Sequence, residues 1–370
     1  MRIYLDHNAT SPLRASVRDV MLARLGAGLN PSSVHQEGRE GRKVIERARL
    51  QVAALVGTDP KAVTFTSGGT EANNTVLAPD IQFGSTVRRF DRLFVSAVEH
   101  PCVLAGGRFV PEQVERLAVD ENGIVDLEAL RVRLSALDGA PFVSVMLANN
   151  ETGVVQPIAK IAEIVHERDG FLHCDAVQAA GKMSIAITDL GADAITLSAH
   201  KIGGPQGVGA VVRASAGIGI PALLKGGGQE LGYRGGTENV MAIEGFGIAA
   251  EACAAEVVSS DLQAELESGL KALSNEIVVF GDTVERLPNT TCFAMPGKRA
   301  ETALIAYDMA GIAVSSGSAC SSGKVGASHV LEAMGVERSL SDGAIRVSTG
   351  WTNTPADIKA FLTATERLLR

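Results

Sequence analysis

Apolar residues recur at intervals of three and four near the start of the chain, at Ile45, Ala48, Val52 and Leu55. Polar and charged residues lie between them and Gly57 stands just beyond, so the pattern predicts an amphipathic helix that ends at the glycine. Short apolar runs then alternate with further helical patterns. The runs that predict strands are residues 62–65, 93–95, 143–147, 171–173, 194–197 and 209–212, and the helical patterns follow Thr70 and span residues 127–137 and 158–168.

These apolar runs are continuous rather than alternating, which is typical of strands buried on both faces. Because they alternate with helices, they predict an α/β fold with a largely parallel sheet. Residues 240 to about 273 are rich in alanine and have a helical pattern. A second, smaller α/β unit is predicted beyond them, with strands at residues 277–280, 290–293 and 345–347 and a helix after Pro355. We expect the change of domain within the long helical segment.

Size, composition and charge exclude several classes of protein. With 370 residues, 46% of them apolar and 21% charged, the chain can bury a substantial core. A net charge of −8 and a pI near 5.5 argue against the basic surface that nucleic acid requires. The start of the chain lacks the pattern of a signal peptide, and no segment stays apolar for the length of a membrane span. We therefore expect a cytoplasmic protein with no membrane partner and no nucleic-acid partner.

The cysteines are odd in number and include no Cys-x-x-Cys pair; they are Cys102, Cys174, Cys253, Cys292 and Cys320. This is not the pattern of a zinc site or a disulfide framework, so they are expected to be thiols in a reducing compartment. The seven histidines also lack the spacing of metal ligands. An intrinsic metal site is therefore not expected.

Lys201 and Asp175 each follow a predicted strand at its carboxyl end. Either residue alone is most simply a surface residue, because lysine and aspartate are seldom buried. Together, at the ends of neighbouring strands, they match what pyridoxal phosphate (PLP) requires: a lysine that binds the cofactor as a Schiff base, and a carboxylate that keeps its ring nitrogen protonated. The pair predicts a PLP site.

A glycine turn between a strand and a helix, Gly68-Gly69-Thr70, is a candidate for binding the phosphate. Glycine lets the backbone approach an anion closely, and the first amides of a helix attract negative charge. The alternative is an ordinary helix start. Ser198 and His200, just before Lys201, are further donors for the same phosphate.

Further polar residues lie after the predicted strands. Asn149 opens the run 149–153 at a carboxyl strand end, where open α/β sheets bind ligands, and such residues are either turn formers or ligand contacts. Gln178, three positions after Asp175, is well placed to donate to the phenolic oxygen of PLP. His100 is either a structural histidine or an imidazole that lies on the cofactor ring and moves protons.

Cys320 lies within residues 315–323, all of which are small. Such a segment buries little apolar surface, so it predicts a mobile loop that exposes a reactive thiol, unless the cysteine is incidental.

Arg346 interrupts an apolar strand pattern, where its guanidinium either binds a substrate carboxylate or forms an internal salt bridge. Asn8 would assist Arg346 if the start of the chain folds over the site.

On these residues the chain resembles the cysteine desulfurases of the NifS/IscS type, which are fold-type I PLP enzymes of the class V aminotransferase family. The matching motifs occur in order at residues 4–10, 30–35, 68–71, 99–101, 149–153, 175–178, 198–201, 235–239, 317–320 and 328–331. The resemblance implies a large domain over residues 13–255, with a mostly parallel seven-stranded sheet flanked by helices. It also implies a smaller α/β domain, formed by residues 1–12 and 256–370, that carries the cysteine loop.

The same resemblance implies a homodimer in which Thr237 reaches the phosphate of the partner's cofactor. Asn149 and Gln178 would address the ring oxygen, and the residues implied to bind phosphate are Gly69, Thr70, Ser198 and His200. The implied reaction takes L-cysteine to L-alanine and leaves the sulfur as a persulfide on Cys320, for delivery to an acceptor such as an iron–sulfur scaffold protein. That persulfide is the one candidate metal ligand, as a transient ligand of an iron–sulfur cluster.

In this reaction Lys201 would take the Cα proton and His100 would donate or accept protons. Three positions depart from the family's usual residues: Gly204, Gln206 and Gly235.

The alternatives to a cysteine desulfurase are a selenocysteine lyase or another class V PLP aminotransferase, and a non-catalytic thiol carrier with the same fold. An aminotransferase needs no mobile cysteine, and a thiol carrier would lack the yellow absorption that depends on Lys201.

Overall fold

Strands and helices alternate along most of the chain in the computed structural model, which describes residues 2–256, 258–317 and 328–370. The strands are β1 (Ile3–Tyr4), β2 (Val63–Thr66), β3 (Asp80–Phe83), β4 (Thr86–Arg89), β5 (Leu93–Ser96), β6 (Val114–Leu117), β7 (Phe142–Ser144), β8 (Phe171–Asp175), β9 (Ala194–Ser198), β10 (Gly209–Arg213), β11 (Ile218–Gly219), β12 (Val278–Val279), β13 (Thr290–Ala294), β14 (Ile312–Ala313), β15 (Ser315–Ser316) and β16 (Ala344–Ser348). The α-helices are α1 (Ala15–Arg24), α2 (Gln36–Leu55), α3 (Gly69–Val76), α4 (Pro101–Leu104), α5 (Leu127–Ser135), α6 (Ile158–His166), α7 (Ile187–Leu190), α8 (Val240–Ala254), α9 (Asp261–Leu273), α10 (Ala300–Met309), α11 (His329–Ala333), α12 (Arg338–Ser341) and α13 (Pro355–Leu369).

A seven-stranded sheet, in the order β2-β10-β9-β8-β7-β5-β6, organises the larger part of the described chain. Strands β9, β8, β7, β5 and β6 run parallel, and β10 is antiparallel to both β2 and β9. The predicted α/β fold with a mostly parallel seven-stranded sheet is confirmed. Strand β6 was not predicted, because Glu115 and Arg116 break its apolar run at the edge of the sheet.

Apolar side chains on both faces of this sheet form the main core. Helix α2 turns Val44, Ile45, Ala48 and Val52 inward and packs along α8. Fully burying one such aliphatic side chain stabilises the fold by about 1.5–3 kcal/mol. The helix begins at Gln36, earlier than predicted, because its first two turns are polar and His35 caps them by accepting a hydrogen bond from the amide of Gly38 (3.3 Å).

A second core lies under the four-stranded sheet β12-β13-β16-β15. Its centre is aromatic: Tyr307 stacks on Phe361 with ring centroids 4.8 Å apart, and Phe293 meets Phe361 edge-on. Helix α8 packs on the first core and α9 on the second, so the helical segment 240–273 is divided between them. The domain bounds stay a prediction, which this division of the cores supports.

The start of the chain belongs to the second core rather than the first. Strand β1 pairs in parallel with β14, and Leu5 is buried among the apolar residues of that core. Asp6 forms a bridge to Ser348 at the end of β16. The residues after Asp6 are therefore held where the two cores meet, beside the carboxyl ends of the parallel strands.

Two further findings bear on function. None of the helices in the part of the chain described is long and apolar enough to cross a membrane. Across the same residues, no group of three or more His, Cys, Asp or Glu side chains is placed to hold a metal ion.

Candidate active site

A cavity of about 270 Å³ lies at the carboxyl ends of the parallel strands, between the two cores. Ten of the residues singled out in the sequence line it: Asn8, Gly69, Thr70, His100, Asp175, Gln178, Ser198, His200, Lys201 and Arg346. It is also lined by residues that were not singled out, among them Asn73, Cys102 and Asn150. Residues from seven separate stretches of the chain therefore meet in one place.

Asp175 is the last residue of β8, and its carboxylate is buried in the cavity wall. It accepts hydrogen bonds from the side-chain amide of Asn73 (2.7 Å) and the backbone amide of Val177 (2.9 Å). Burial raises the pKa of Asp175, while these two bonds and the nearby His100 and Lys201 act to lower it. The result is an oriented carboxylate, shielded from water, that gains by pairing with a protonated ring nitrogen.

Lys201 ends a single 3₁₀ turn, Ala199–Lys201, that follows β9 directly. Its amine donates hydrogen bonds to the carbonyl oxygens of Asn8 and Ala9, the latter at 2.9 Å. The hydroxyl of Tyr4 fixes this part of the chain start by donating to the carbonyl oxygen of Thr10 (2.8 Å). The chain start thus folds over the site, as the interpretation of Asn8 required.

The glycine turn forms the third side of the cavity. Gly68 has φ +155°, a conformation that favours glycine, and it precedes the first turn of α3. A Cβ at Gly69 would lie 3.0 Å from Val177, so the glycine lets the helix start approach the segment after Asp175 closely. The amides of the first turn, with the hydroxyls of Thr70 and Ser198, offer hydrogen-bond donors for an anion.

His200 adds an imidazole to this group of donors. Burial and the neighbouring Lys201 lower the pKa of His200 to about 4. It is therefore neutral near pH 7 and acts through a hydrogen bond rather than a charge. Its Nδ1 lies 3.2 Å from the hydroxyl of Thr10.

His100 caps helix α4, and this contact settles its tautomer. Its Nδ1 accepts a hydrogen bond from the backbone amide of Cys102 (3.2 Å), so the proton of the neutral ring is on Nε2. Burial is the main cause that lowers the pKa of His100. The thiol of Cys102 lies 2.9 Å from the same Nδ1, and burial raises the pKa of that thiol to about 12. Cys102 is therefore a protonated thiol beside a neutral imidazole.

Asn149 does not line the cavity. Its side-chain oxygen accepts from the backbone amides of Glu151 (2.8 Å) and Thr152 (3.0 Å), and its side-chain nitrogen donates to the carbonyl oxygen of Val98 (3.0 Å). The carboxamide thus closes the tight turn after β7, which corrects the expectation that it faces the ligand. The neighbouring Asn150 lines the cavity instead. Two adjacent asparagines give no signal in the sequence as to which one the turn uses.

Arg346 is almost fully buried in β16 and borders the cavity. It pairs with Asp6 (Nη2 to Oδ1, 2.8 Å) and donates to the carbonyl oxygen of Asn150 (2.9 Å). Among the described residues, its Nε has no hydrogen-bond partner. The salt bridge considered for this residue exists, and one N–H of the guanidinium stays unsatisfied.

Cys320 lies outside the described residues, but the ends of its segment do not. Ser315 pairs with Arg346 in the sheet, and the backbone amide of Gly317 donates to the carbonyl oxygen of Ala344 (3.1 Å). On the other side, the hydroxyl of Ser328 donates to the carboxyl of Glu151 (2.5 Å). Both ends of the segment therefore lie near Arg346. One end pairs with it in the sheet, and the other contacts Glu151, the neighbour of the Asn150 carbonyl that Arg346 binds.

Thr237 is exposed and does not line this cavity. Nearby, Gly235 lies against the backbone of Gly226, because a Cβ there would come within 2.6 Å of the Gly226 nitrogen. This close approach accounts for a glycine at a position where the resembled family usually has serine. Gln206 lines the open groove beside the glycine turn, and Gly204 is packed on Ala199.

The donor set fits PLP. Asp175 supplies the buried carboxylate for the ring nitrogen, Lys201 supplies the amine, and the start of α3 supplies amides for the phosphate, all in one cavity. His100 lines the same cavity and would be a neighbour of the bound cofactor.

Comparison with known proteins gives the same result. The chain matches the family "Aminotransferase class-V" over residues 3–361. It is 40% identical to a cysteine desulfurase of Cereibacter sphaeroides, with 98% of this chain and 94% of that protein covered, and 36% identical to the cysteine desulfurase IscS of Dictyoglomus turgidum, with 99% and 94% covered. Its structure resembles that of a NifS-like protein from Rickettsia africae, with a TM-score of 0.90, 37% identity and coverage of 100% and 99%. The chain belongs to the class-V aminotransferase family, among its PLP-dependent cysteine desulfurases.

Proposed function

We propose that this protein converts L-cysteine to L-alanine and transfers the sulfur, as a persulfide on Cys320, to an acceptor that serves iron–sulfur cluster assembly. The observation that carries the proposal is the single cavity bordered by Lys201, Asp175 and Arg346. These residues supply an amine, a ring-nitrogen partner and a carboxylate-binding group to one small substrate. The printed names of the relatives, cysteine desulfurase, support the choice of substrate.

Electron withdrawal from the Cα atom of the substrate is the chemistry that bound PLP supplies. The chain's own residues hold that group and handle protons. Asp175 keeps the ring nitrogen protonated, and Gln178 and Asn150, rather than Asn149, reach the ring oxygen. The phosphate is bound by Gly69, Thr70, Ser198 and His200.

On the substrate, Arg346 binds the carboxylate with the guanidinium that borders the cavity. The amine of Lys201 takes the proton from Cα, and His100 exchanges a proton through its Nε2. Cys320 then attacks the substrate sulfur: an S–S bond forms, the bond between Cβ and sulfur breaks, and the electron pair of that bond stays with the carbon fragment. Cβ is then protonated, and the proton that Lys201 took is returned to Cα to give alanine. Cys102 is not the nucleophile, because its thiol stays protonated near neutral pH.

The proposal includes a homodimer in the cytoplasm, with Thr237 reaching the partner's phosphate. The exposed position of Thr237 supports this, as do the neighbouring Glu230 and Leu231, which both have positive φ (46° and 57°). Leu231 is 73% exposed despite its strained backbone, which fits a residue that a partner would cover.

The four described cysteines are free thiols, which fits a reducing compartment. The acceptor is proposed to be an iron–sulfur scaffold protein.

An assay of alanine and sulfide formed from L-cysteine, with a reductant present, tests the reaction. We expect Cys320→Ser to abolish sulfide release and to keep the yellow absorption of the bound cofactor. Cys102→Ser is the matched control, since it removes the other thiol at this site, and it should keep most of the activity. Sulfide release that survives Cys320→Ser, or that is lost equally in Cys102→Ser, would contradict the assignment of the sulfur carrier.

A further inference from the structure

Lys182 is a buried lysine behind the cavity, four positions after Gln178 in the turns that follow β8. Its Nζ lies 2.7 Å from the side-chain oxygen of Gln178 and 2.7 Å from the side-chain oxygen of Asn8. Both partners line the cavity, whereas Lys182 itself does not. Lysine is seldom buried. A buried amine that contacts two carboxamides of the site therefore suggests a specific role there.

The remaining contacts show that these two carboxamides have one orientation. The side-chain nitrogen of Gln178 faces the carbonyl oxygen of Asn8 (2.9 Å), and the side-chain nitrogen of Asn8 faces the carbonyl oxygen of Asn150 (3.2 Å). Backbone carbonyls only accept hydrogen bonds, so both side-chain nitrogens are donors there and both side-chain oxygens must face Lys182. The amine therefore donates to both carboxamide oxygens in the orientation that these contacts set, and the side-chain nitrogen of Asn289 also approaches the oxygen of Asn8 (3.4 Å).

Gln178 and Lys201 share an acceptor. Both the side-chain nitrogen of Gln178 and the amine of Lys201 donate to the carbonyl oxygen of Asn8. The two nitrogens are therefore neighbours, and a group bound to Lys201 lies within reach of the amide of Gln178. The network continues on the substrate side, because the carbonyl oxygen of Asn150 also accepts from Arg346 (2.9 Å).

We propose that Lys182 is a positioning residue that fixes the carboxamides of Gln178 and Asn8, so that an N–H of Gln178 is directed at the ring oxygen of the cofactor. The inference rests on the proposed function and names the residue that sets the geometry of that site. Lys182 acts through Gln178 and touches neither cofactor nor substrate.

The charges around Lys182 agree with this role. Burial lowers its pKa well below the usual value, and Lys201 and Arg346 lower it further, while Cys253 has the opposite effect. His7 is a further titratable neighbour, and Lys182 contributes to the lowered pKa of that imidazole. The amine has an N–H group for each carboxamide oxygen in its charged form and in its neutral form alike. Replacing it by methionine removes these donors and leaves an apolar chain of similar length.

The test is a pH titration of the visible absorption of the bound cofactor in the Lys182→Met holoenzyme. A donor at the ring oxygen stabilises its deprotonated form, so without a fixed Gln178 the midpoint of the absorbance change should rise by about one pH unit. Gln178→Leu should raise the midpoint by a similar amount. The double variant should shift it no further than either single variant, because both remove the same contact. Lys160→Met, at an exposed position of α6, is the control and should leave the midpoint unchanged.

A Lys182→Met enzyme with a lowered melting temperature and the wild-type midpoint would overturn the proposal, because it would reduce Lys182 to a structural residue. Additive shifts in the double variant would overturn it as well. If Lys182→Met does not fold, Lys182→Gln, whose shorter side chain cannot reach both oxygens, must show the same upward shift. The titration needs bound cofactor but no turnover, so it separates this inference from a failure of the cysteine desulfurase assignment.

Discussion

The cavity has two walls that are built in different ways. The cofactor wall consists of residues that end or closely follow strands of the seven-stranded sheet: Gly69, Thr70, His100, Asp175, Gln178, Ser198, His200 and Lys201. The substrate wall consists of Asn8, Asn150 and Arg346, which meet through contacts between residues 142 to 196 positions apart. The sheet therefore positions the backbone of the first wall, and the chain start adds contacts to Lys201 and Gln178. The second wall forms only when the two cores close on each other.

The two walls also differ in how substitutions should affect stability, substrate binding and catalysis. The substrate wall contains a buried ion pair between Arg346 and Asp6, and removing one partner of such a pair typically destabilises a protein by about 3–5 kcal/mol. Asp175 is held by hydrogen bonds from Asn73 and Val177. Variants of the cofactor wall should therefore change the chemistry, and variants of the substrate wall should change binding and stability.

The largest effect is expected for Lys201→Ala. The variant loses both the amine that anchors the cofactor and the base for the Cα proton, so desulfurase activity should fall on the order of 10³-fold or more. Parallel assays of alanine formation and of visible absorption should both show the loss. Lys160→Ala, on the exposed face of α6, is the control. A Lys201→Ala enzyme that keeps more than about a tenth of the wild-type activity would remove this lysine from the reaction.

Asp175→Asn should have the next largest effect. An amide cannot favour a protonated ring nitrogen, and its NH₂ group would face one of the two N–H donors that the carboxylate now accepts. We expect kcat to fall on the order of 10²-fold while KM for L-cysteine changes little. Asp189→Asn, at an exposed aspartate after β8, should match the wild type in the same assay. An unchanged kcat in Asp175→Asn would show that the ring nitrogen is held elsewhere.

Arg346→Lys probes the other wall and should give the reverse pattern. A lysine keeps the charge and loses the fork that grips a carboxylate, so KM for L-cysteine should rise about tenfold, with kcat within about threefold of the wild type. Cofactor affinity, measured by fluorescence titration of the apoprotein, should not change. The matched control is Arg286→Lys, another largely buried arginine in an ion pair, with Glu267, outside the cavity. If Arg346→Lys lowers kcat and leaves KM unchanged, the assignment of substrate binding to one wall and of catalysis to the other is wrong.

The difference between the walls explains how far the sequence could predict the site. Asp175, Lys201 and Gly69 each follow an apolar run directly, so local pattern and the geometry of parallel sheets bring them together. The predicted strands and the fold class were confirmed for the same reason. Strand β6 was missed because charged residues interrupt its apolar pattern at the sheet edge.

Long-range packing set the parts that the sequence did not predict. Lys182 and Cys102 belong to no motif, and only the folded chain shows that they contact Gln178 and His100. The turn after β7 decides between Asn149 and Asn150 through hydrogen bonds to its own backbone. The roles of Thr237 and Cys320 stay predictions.

A buried titratable group lies behind each wall, and these two groups respond to pH in opposite ways. Behind the cofactor wall, burial lowers the pKa of His173 to about 3. Behind the substrate wall, burial raises the pKa of Glu151 to about 7, against the opposing effects of Ser328 and Arg346. The unfolded chain takes up the histidine proton near 6.5, so His173 destabilises the fold as pH falls from 6.5 towards 3. Glu151 favours the fold at low pH, and this contribution is lost as pH rises from 4.5 through 7.

The smallest predicted effect follows from this opposition. His173→Gln should flatten the fall in melting temperature on acidification from pH 7 to 5, and Glu151→Gln should steepen it. Each variant should change the difference in unfolding free energy between the two pH values by about 2 kcal/mol. Circular dichroism melts of the holoenzyme measure both. His166→Gln is a control of known sign: Asp193 raises the pKa of this more exposed histidine, so its loss should steepen the dependence slightly. If both His173→Gln and Glu151→Gln changed the pH dependence of the melting temperature in the same direction, one of the two groups would not be buried in its neutral form. The contrast between the two walls would then not apply to the residues behind them.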